Sequence, residues 1–216
     1  MAIKTRTCLL LGIVIGAVAL LGVACGGGSS NSVGDEPEGT STPLTTCKPA
    51  SPPVFPAPIN VPAGQQEYQS TDLGYSILYP TDWKASPNLA NYQNVFGDTF
   101  FSPNASGDVT PNITVTCETI PVGGDTNAYV DYRRAVLQQL LEASPDSAAD
   151  VTVDGKDAIF WHYKIASNNT SSVADKIEIL FADDRGGWMI SLVAPEGHLG
   201  DYKPVLDSVM ASFHEY

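Results

Sequence analysis

The sequence predicts an α+β domain in which an antiparallel sheet lies between helices. Three observations point there. Apolar runs are separated by short turn signals, of which Asp154-Gly155-Lys156 and Asp183-Asp184-Arg185-Gly186-Gly187 are hairpin turns. The run from Ala158 is apolar on both sides, Phe160 on one and Ile159, Trp161 and Tyr163 on the other, so both faces of its sheet need cover. Two stretches with helical periodicity supply the covers.

Ahead of the domain stands an export signature. Lys4 and Arg6 precede 17 uncharged residues from Cys8 to Ala24, and Cys25 opens Gly26-Gly27-Gly28-Ser29-Ser30. A basic start, an apolar stretch and small residues before a cleavage point form a signal peptide over 1–24, and a Cys at the cut offers a thiol for a lipid. This stretch resembles a bacterial lipoprotein, although Gly22 stands where such signals usually carry Leu. The alternative is an uncleaved anchor, since the run approaches the roughly 20 residues that span a bilayer. Either one tethers the rest outside the cytoplasm, with the membrane as first partner.

Residues 25–66 are rich in Gly, Ser, Thr and Pro, with Pro43, Pro49, Pro52, Pro53, Pro56, Pro58 and Pro62 and no apolar period. Such a stretch buries too little to pack, and reads as a disordered linker stiffening into an extended spacer. The domain is then Glu67–Tyr216, 150 residues, enough to hold a core without a metal.

Within it, a turn at Thr71-Asp72-Leu73-Gly74 leads into a strand to Tyr79 that Pro80 ends. Val95–Ser102 and Asn112–Thr119 are the next strands, the latter with Ile113, Val115 and Cys117 on one face. A helix over Thr126–Ala143 gathers Tyr129, Val130, Tyr132, Val136, Leu137, Leu140 and Leu141 into one arc. Arg133 falls inside that arc: its head snorkels to the edge, meets a partner buried against the sheet, or faces a ligand. Asp150–Val153 and Asp157–Ile165 form one hairpin, Lys176–Ala182 and Trp188–Ala194 another. A closing helix over Asp201–Phe213 gathers Tyr202, Val205, Leu206, Val209, Met210 and Phe213, with Pro204 in its first turn.

Gly74-Tyr75-Ser76-Ile77-Leu78-Tyr79-Pro80-Thr81-Asp82-Trp83 resembles the opening of PsbP-like domains, and the last helix, ending in Ser212-Phe213, is similar to their closing helix. The resemblance implies an α/β/α sandwich with a central, mostly antiparallel sheet, used outside the cytoplasm as a binding or assembly module. It implies no shared catalytic residue.

Without 1–24 the chain carries 24 acids against 9 bases, a net charge of −15. That excess repels phosphate backbones and argues against nucleic-acid partners. Of four cysteines, Cys8 leaves with the signal and Cys25 takes the lipid. Cys47 and Cys117 remain, and an oxidising compartment favours a disulfide over two free thiols. The Asn-x-Ser/Thr triplets at Asn104, Asn112, Asn168 and Asn169 are chance matches in a bacterial lipoprotein.

No Gly-x-Ser-x-Gly, His-Glu-x-x-His, phosphate loop or dinucleotide fingerprint occurs, so neither catalytic residues nor a cofactor are expected. His162, His198 and His214 share no metal-ligand spacing. Asp150-x-Thr152-x-Asp154-Gly155 imitates half a calcium loop, but Trp161 stands where a bidentate Glu is required. The functional expectation is a lipid-tethered extracytoplasmic module that binds another protein. The alternative is a carrier or receptor for a small or lipidic ligand, held between helix and sheet.

Overall fold

The computed structural model describes residues 43–56, 61–90, 94–104, 108–141, 144–166 and 172–216. The signal peptide, Cys25, Asn168 and Asn169 lie outside them. The elements in order are β1 (Gln65–Ser70), β2 (Tyr75–Pro80), β3 (Lys84–Ser86), β4 (Val95–Phe101), β5 (Asn112–Glu118), α1 (Thr126–Leu141), β6 (Ser147–Val153), β7 (Lys156–Ala166), β8 (Val173–Ala182), β9 (Gly187–Pro195), α2 (Leu199–Ser212) and β10 (His214–Glu215).

Seven strands make one sheet in the order β3-β4-β5-β9-β8-β7-β6, every neighbour antiparallel. Its two faces follow from the period of two. Ile113, Val115 and Cys117 of β5, Ile177, Ile179 and Phe181 of β8 and Trp188, Ile190 and Leu192 of β9 share one buried cluster. Trp161 and Tyr163 of β7, Leu180 and Met189 share the other, beneath Tyr129, Val130 and Leu137 of α1. The helix–sheet–helix layering is therefore present, with α1 on β7 and β8 and α2 on β2 and β9.

The expectation of a single β-layer is corrected. β2 belongs to a separate three-stranded sheet, β1-β2-β10, which shares the α2 side with that helix. β1 was not expected as a strand. Its sequence, Gln-Gln-Glu-Tyr-Gln-Ser, lacks alternation because it is an edge strand that sends only Tyr68 into the core. The closing Ser212-Phe213 pair joins these layers. Ser212 Oγ accepts the Leu78 N–H at 2.8 Å, while the Phe213 ring stacks on Tyr75 and meets Trp188 edge-on, each at 5.6 Å. Trp83 is buried at the sheet's end against Tyr202. α2 starts two residues earlier than expected, which puts Pro204 sixth in the helix, where its missing N–H forgoes one bond.

The spacer expected to run to Gln66 is tied down well before it. Thr45 N–H donates to Ile120 O at 2.8 Å, Cys47 N–H to Arg185 O at 2.9 Å, and Val122 N–H to Pro43 O at 2.9 Å. Cys47 and Cys117 are joined by a disulfide, their Cα atoms 5.7 Å apart. Backbone pairing at Leu44 and Pro121 explains how a Pro-rich segment without apolar period still docks.

Candidate functional site

The helix α1 is placed by its start. Asp125 caps it, its Oδ1 accepting the Ala128 N–H at 2.8 Å. Thr126 Oγ1 accepts the Ala182 N–H at 3.1 Å and so fixes the first turn to the end of β8. Gly187 lets the helix approach: a Cβ there would sit 2.5 Å from ring carbons of Tyr129. One turn on, Arg133 points into the sheet with only 4% of its surface exposed.

Of the three roles open to Arg133, the structure selects a buried ion pair. Nη2 donates to Glu178 Oε1 at 3.2 Å, and Nη1 lies 3.8 Å from Glu118 Oε2. Glu178 Oε1 also accepts from Tyr163 OH at 2.8 Å and stands 2.8 Å from Lys176 Nζ. Glu118 Oε1 accepts from Tyr132 OH at 2.9 Å, and Oε2 from Tyr129 OH at 3.4 Å. Two cations and two carboxylates thus neutralise each other in a layer ringed by three tyrosines.

Electrostatics keep Glu178 and Arg133 ionised. Burial alone pushes the Glu178 carboxyl up, but Lys176 and then Arg133 outweigh it and hold it down at about 2. Burial likewise opposes the Arg133 charge, and Glu178 foremost, then Tyr129 and Glu118, raise it above the ordinary guanidinium value. Tyr132 is raised to about 12 by burial and by Glu118. Arg133 Nε and Glu178 Oε2 are buried without a hydrogen-bond partner. The chemistry is that of a structural charge layer, with every ionised group facing a counter-charge.

A second cluster holds the chain end. Lys156 Nζ lies 2.9 Å from Asp183 Oδ2 and 2.7 Å from Glu215 Oε2. Asp183 Oδ1 accepts the N–H groups of Arg185 and Gly186 at 2.9 and 3.1 Å, the turn role expected of it. Burial and then the adjacent Asp183 push the Glu215 carboxyl up to about 8; against the burial cost, Glu215 and Lys156 bonding hold Asp183 down at about 2. Glu215 Oε1 is buried without a hydrogen-bond partner.

The histidines do not converge. His162 Nε2 is 3.2 Å from Asp175, His198 Nδ1 3.0 Å from Asp201, and His214 Nδ1 2.8 Å from Asp154. Asp154, from the calcium-like stretch, spends its carboxylate on His214 and on the Glu215 N–H. Among the described residues no group of three or more His, Cys, Asp or Glu is arranged to hold a metal. A recess of about 620 Å³ opens beside the α1 N-terminus, lined by Asp125, Asp157, Asp183, Asp184 and Lys156 among others.

Glu118, Lys176 and Glu178 were not singled out from the sequence. The available signal was Lys176 and Glu178 alternating with Ile177 and Ile179 in a strand whose sheet needed cover on both faces, opposite a helix with an inward Arg.

No protein-family model matches the chain, and no curated protein matches it. Among solved structures it is similar to LpqN of Mycobacterium tuberculosis, involved in cell envelope biogenesis, at 12% identity and a TM-score of 0.50 over 69% of this chain and 88% of that one. It is also similar to cyanobacterial PsbP (CyanoP) from Synechocystis, at 20% identity and a TM-score of 0.48 over 76% of this chain and 98% of that one. The likeness to LpqN is one of fold alone.

Proposed function

We propose that the protein is a lipoprotein anchored through Cys25 outside the cytoplasm, whose domain is a protein-binding or assembly module and not an enzyme. The observation that carries this reading is the interior beneath α1. The space where a helix and sheet would hold a ligand is filled by Arg133, Glu118, Glu178 and Lys176, each committed to another. The Cys47–Cys117 bridge supports an oxidising location. Among the described residues no helix is long and apolar enough to cross a membrane. The fold shared with LpqN, which is involved in cell envelope biogenesis, is compatible with this reading. A carrier of lipidic ligands calls for an enclosed apolar cavity, whereas the recess beside α1 opens to solvent.

Chemical cross-linking on intact bacterial cells that express the full chain, followed by purification in detergent, tests the module. A reproducible cross-linked partner, found with wild type and lost with Cys25→Ala, is expected. Bare protein in every condition, or native mass spectrometry showing a co-purified lipid instead, would overturn it.

A further inference from the structure

We propose that the edge strand β6 docks an extended, basic segment of a partner protein, which adds to the large sheet as an eighth strand. The proposal rests on the protein-binding reading above and names its surface. Among the described residues β6 pairs β7 on one side only and ends the sheet. Alternate residues of such a strand turn N–H and C=O groups outward, a template for another strand. At the opposite edge β3 is three residues long, and in the small sheet β10 has two and β1 is half-buried along most of its length. β6 runs for seven residues, with Ser147, Ala148, Ala149, Asp150 and Thr152 exposed.

Lysine, proline and bulges are missing from it, and Asp150 is its one charged residue. Edge strands are commonly blunted by Lys, Pro or bulges; β6 reads Ser-Ala-Ala-Asp-Val-Thr-Val and stays in unbroken register with β7 from Ser147 opposite His162 to Val153 opposite Lys156. Small side chains at Ser147, Ala148 and Ala149 leave the approach open.

Charge selects the occupant. Ala148, Asp150 and Thr152 lie opposite Trp161, Ile159 and Asp157, which places Asp150 and Asp157 on the α1 side of the sheet. Asp146, four residues before Asp150, has the same parity. Cations nearby are already engaged: Arg134 pairs with Asp131, and Lys164 with Glu196. A second copy of this chain is disfavoured, because two-fold antiparallel pairing centred on β6 sets Asp150 against Asp150, a like-charge cross-strand pair. Lys or Arg on alternate positions of an added strand meets this acidic row instead.

The test uses the full chain in detergent and the synthetic peptide Lys-Val-Lys-Val-Lys-Thr-Lys, with an analogue N-methylated at alternate residues as a control of identical charge. Hydrogen exchange read residue by residue should slow at least about tenfold at alternate amides of Ser147–Val153 with the first peptide and not with the second. Asp150→Lys should weaken peptide binding at least about tenfold, while its circular dichroism and melting stay those of wild type. Protection confined to Val122–Thr126 beside the acidic recess, equal effects of both peptides, or a dimer formed through β6 would overturn the proposal. A cross-linked partner mapped away from β6 would also overturn it while leaving the module reading intact, whereas absence of any partner strikes at the module itself.

Discussion

Arg133 on α1 and Glu178 on β8 meet at 3.2 Å with 4% and 0% of their surfaces exposed, so the helix is clamped to the sheet by charge as well as by apolar contact. An ion pair taken so far from water gains little over a well-packed apolar pair, yet losing one partner strands the other.

Arg133→Met should therefore lower stability by about 3–5 kcal/mol, since Glu178 and Glu118 lose a shared cation inside the protein. Chemical denaturation measures it. In a double-mutant cycle with Glu178→Gln the two losses should fall short of additivity, with a coupling of about 1–3 kcal/mol. Additive losses would mean that the pair contributes nothing as a pair.

Acid should weaken the protein in a defined window. The folded-state pKa of Glu178 and Asp183 is depressed to about 2, below the unfolded carboxylate values of about 4. Their contribution is present above the unfolded value and is lost as pH falls through about 2. Glu215 runs the other way. With its folded pKa raised to about 8, its contribution is full below the unfolded value and is lost as pH rises through 8. Glu215→Gln should flatten the fall in stability between about pH 4.5 and 8, followed by denaturation midpoints across that range.

Gly187→Ala should cost about 1–3 kcal/mol, because the new methyl enters the Tyr129 ring. Tyr129→Ala should make the same change at Gly187 nearly harmless. Thermal melts of the two single variants and the double variant decide this.

Opening the Cys47–Cys117 bridge should cost about 4 kcal/mol by the chain-entropy argument, its half-cystines being 70 residues apart in sequence. Replacing both by Ala should also expose Pro43–Pro56 to proteases, because Cys47 anchors that segment beside the 183–187 turn. Limited proteolysis with and without reductant reads this directly.

Much of this fold was legible because burial imposes periodicity. The α1 and α2 stripes and the two long hairpins appear in the sequence because their apolar residues repeat at 3.6 or at 2. β1 and the small sheet were not legible, since Gln65–Ser70 is held by backbone pairing to β2, and hydrogen bonds between main chains leave no side-chain pattern. β6 begins three residues before the expected Asp150, because an edge strand exposed on both faces shows no alternation. The charge layer was half legible. An Arg inside an apolar arc marked one member, but Lys176 and Glu178 looked like the solvent side of an ordinary strand until α1 was laid over them.

The export and tethering of the chain are tested most directly by the intact mass of the full protein taken, unreduced, from membranes of a bacterium that expresses it. Loss of residues 1–24, a lipid adduct on Cys25 and a mass two thiol hydrogens short for Cys47 and Cys117 are expected. A chain that retains its first 24 residues, carries no lipid and keeps both thiols free would contradict export and tethering alike.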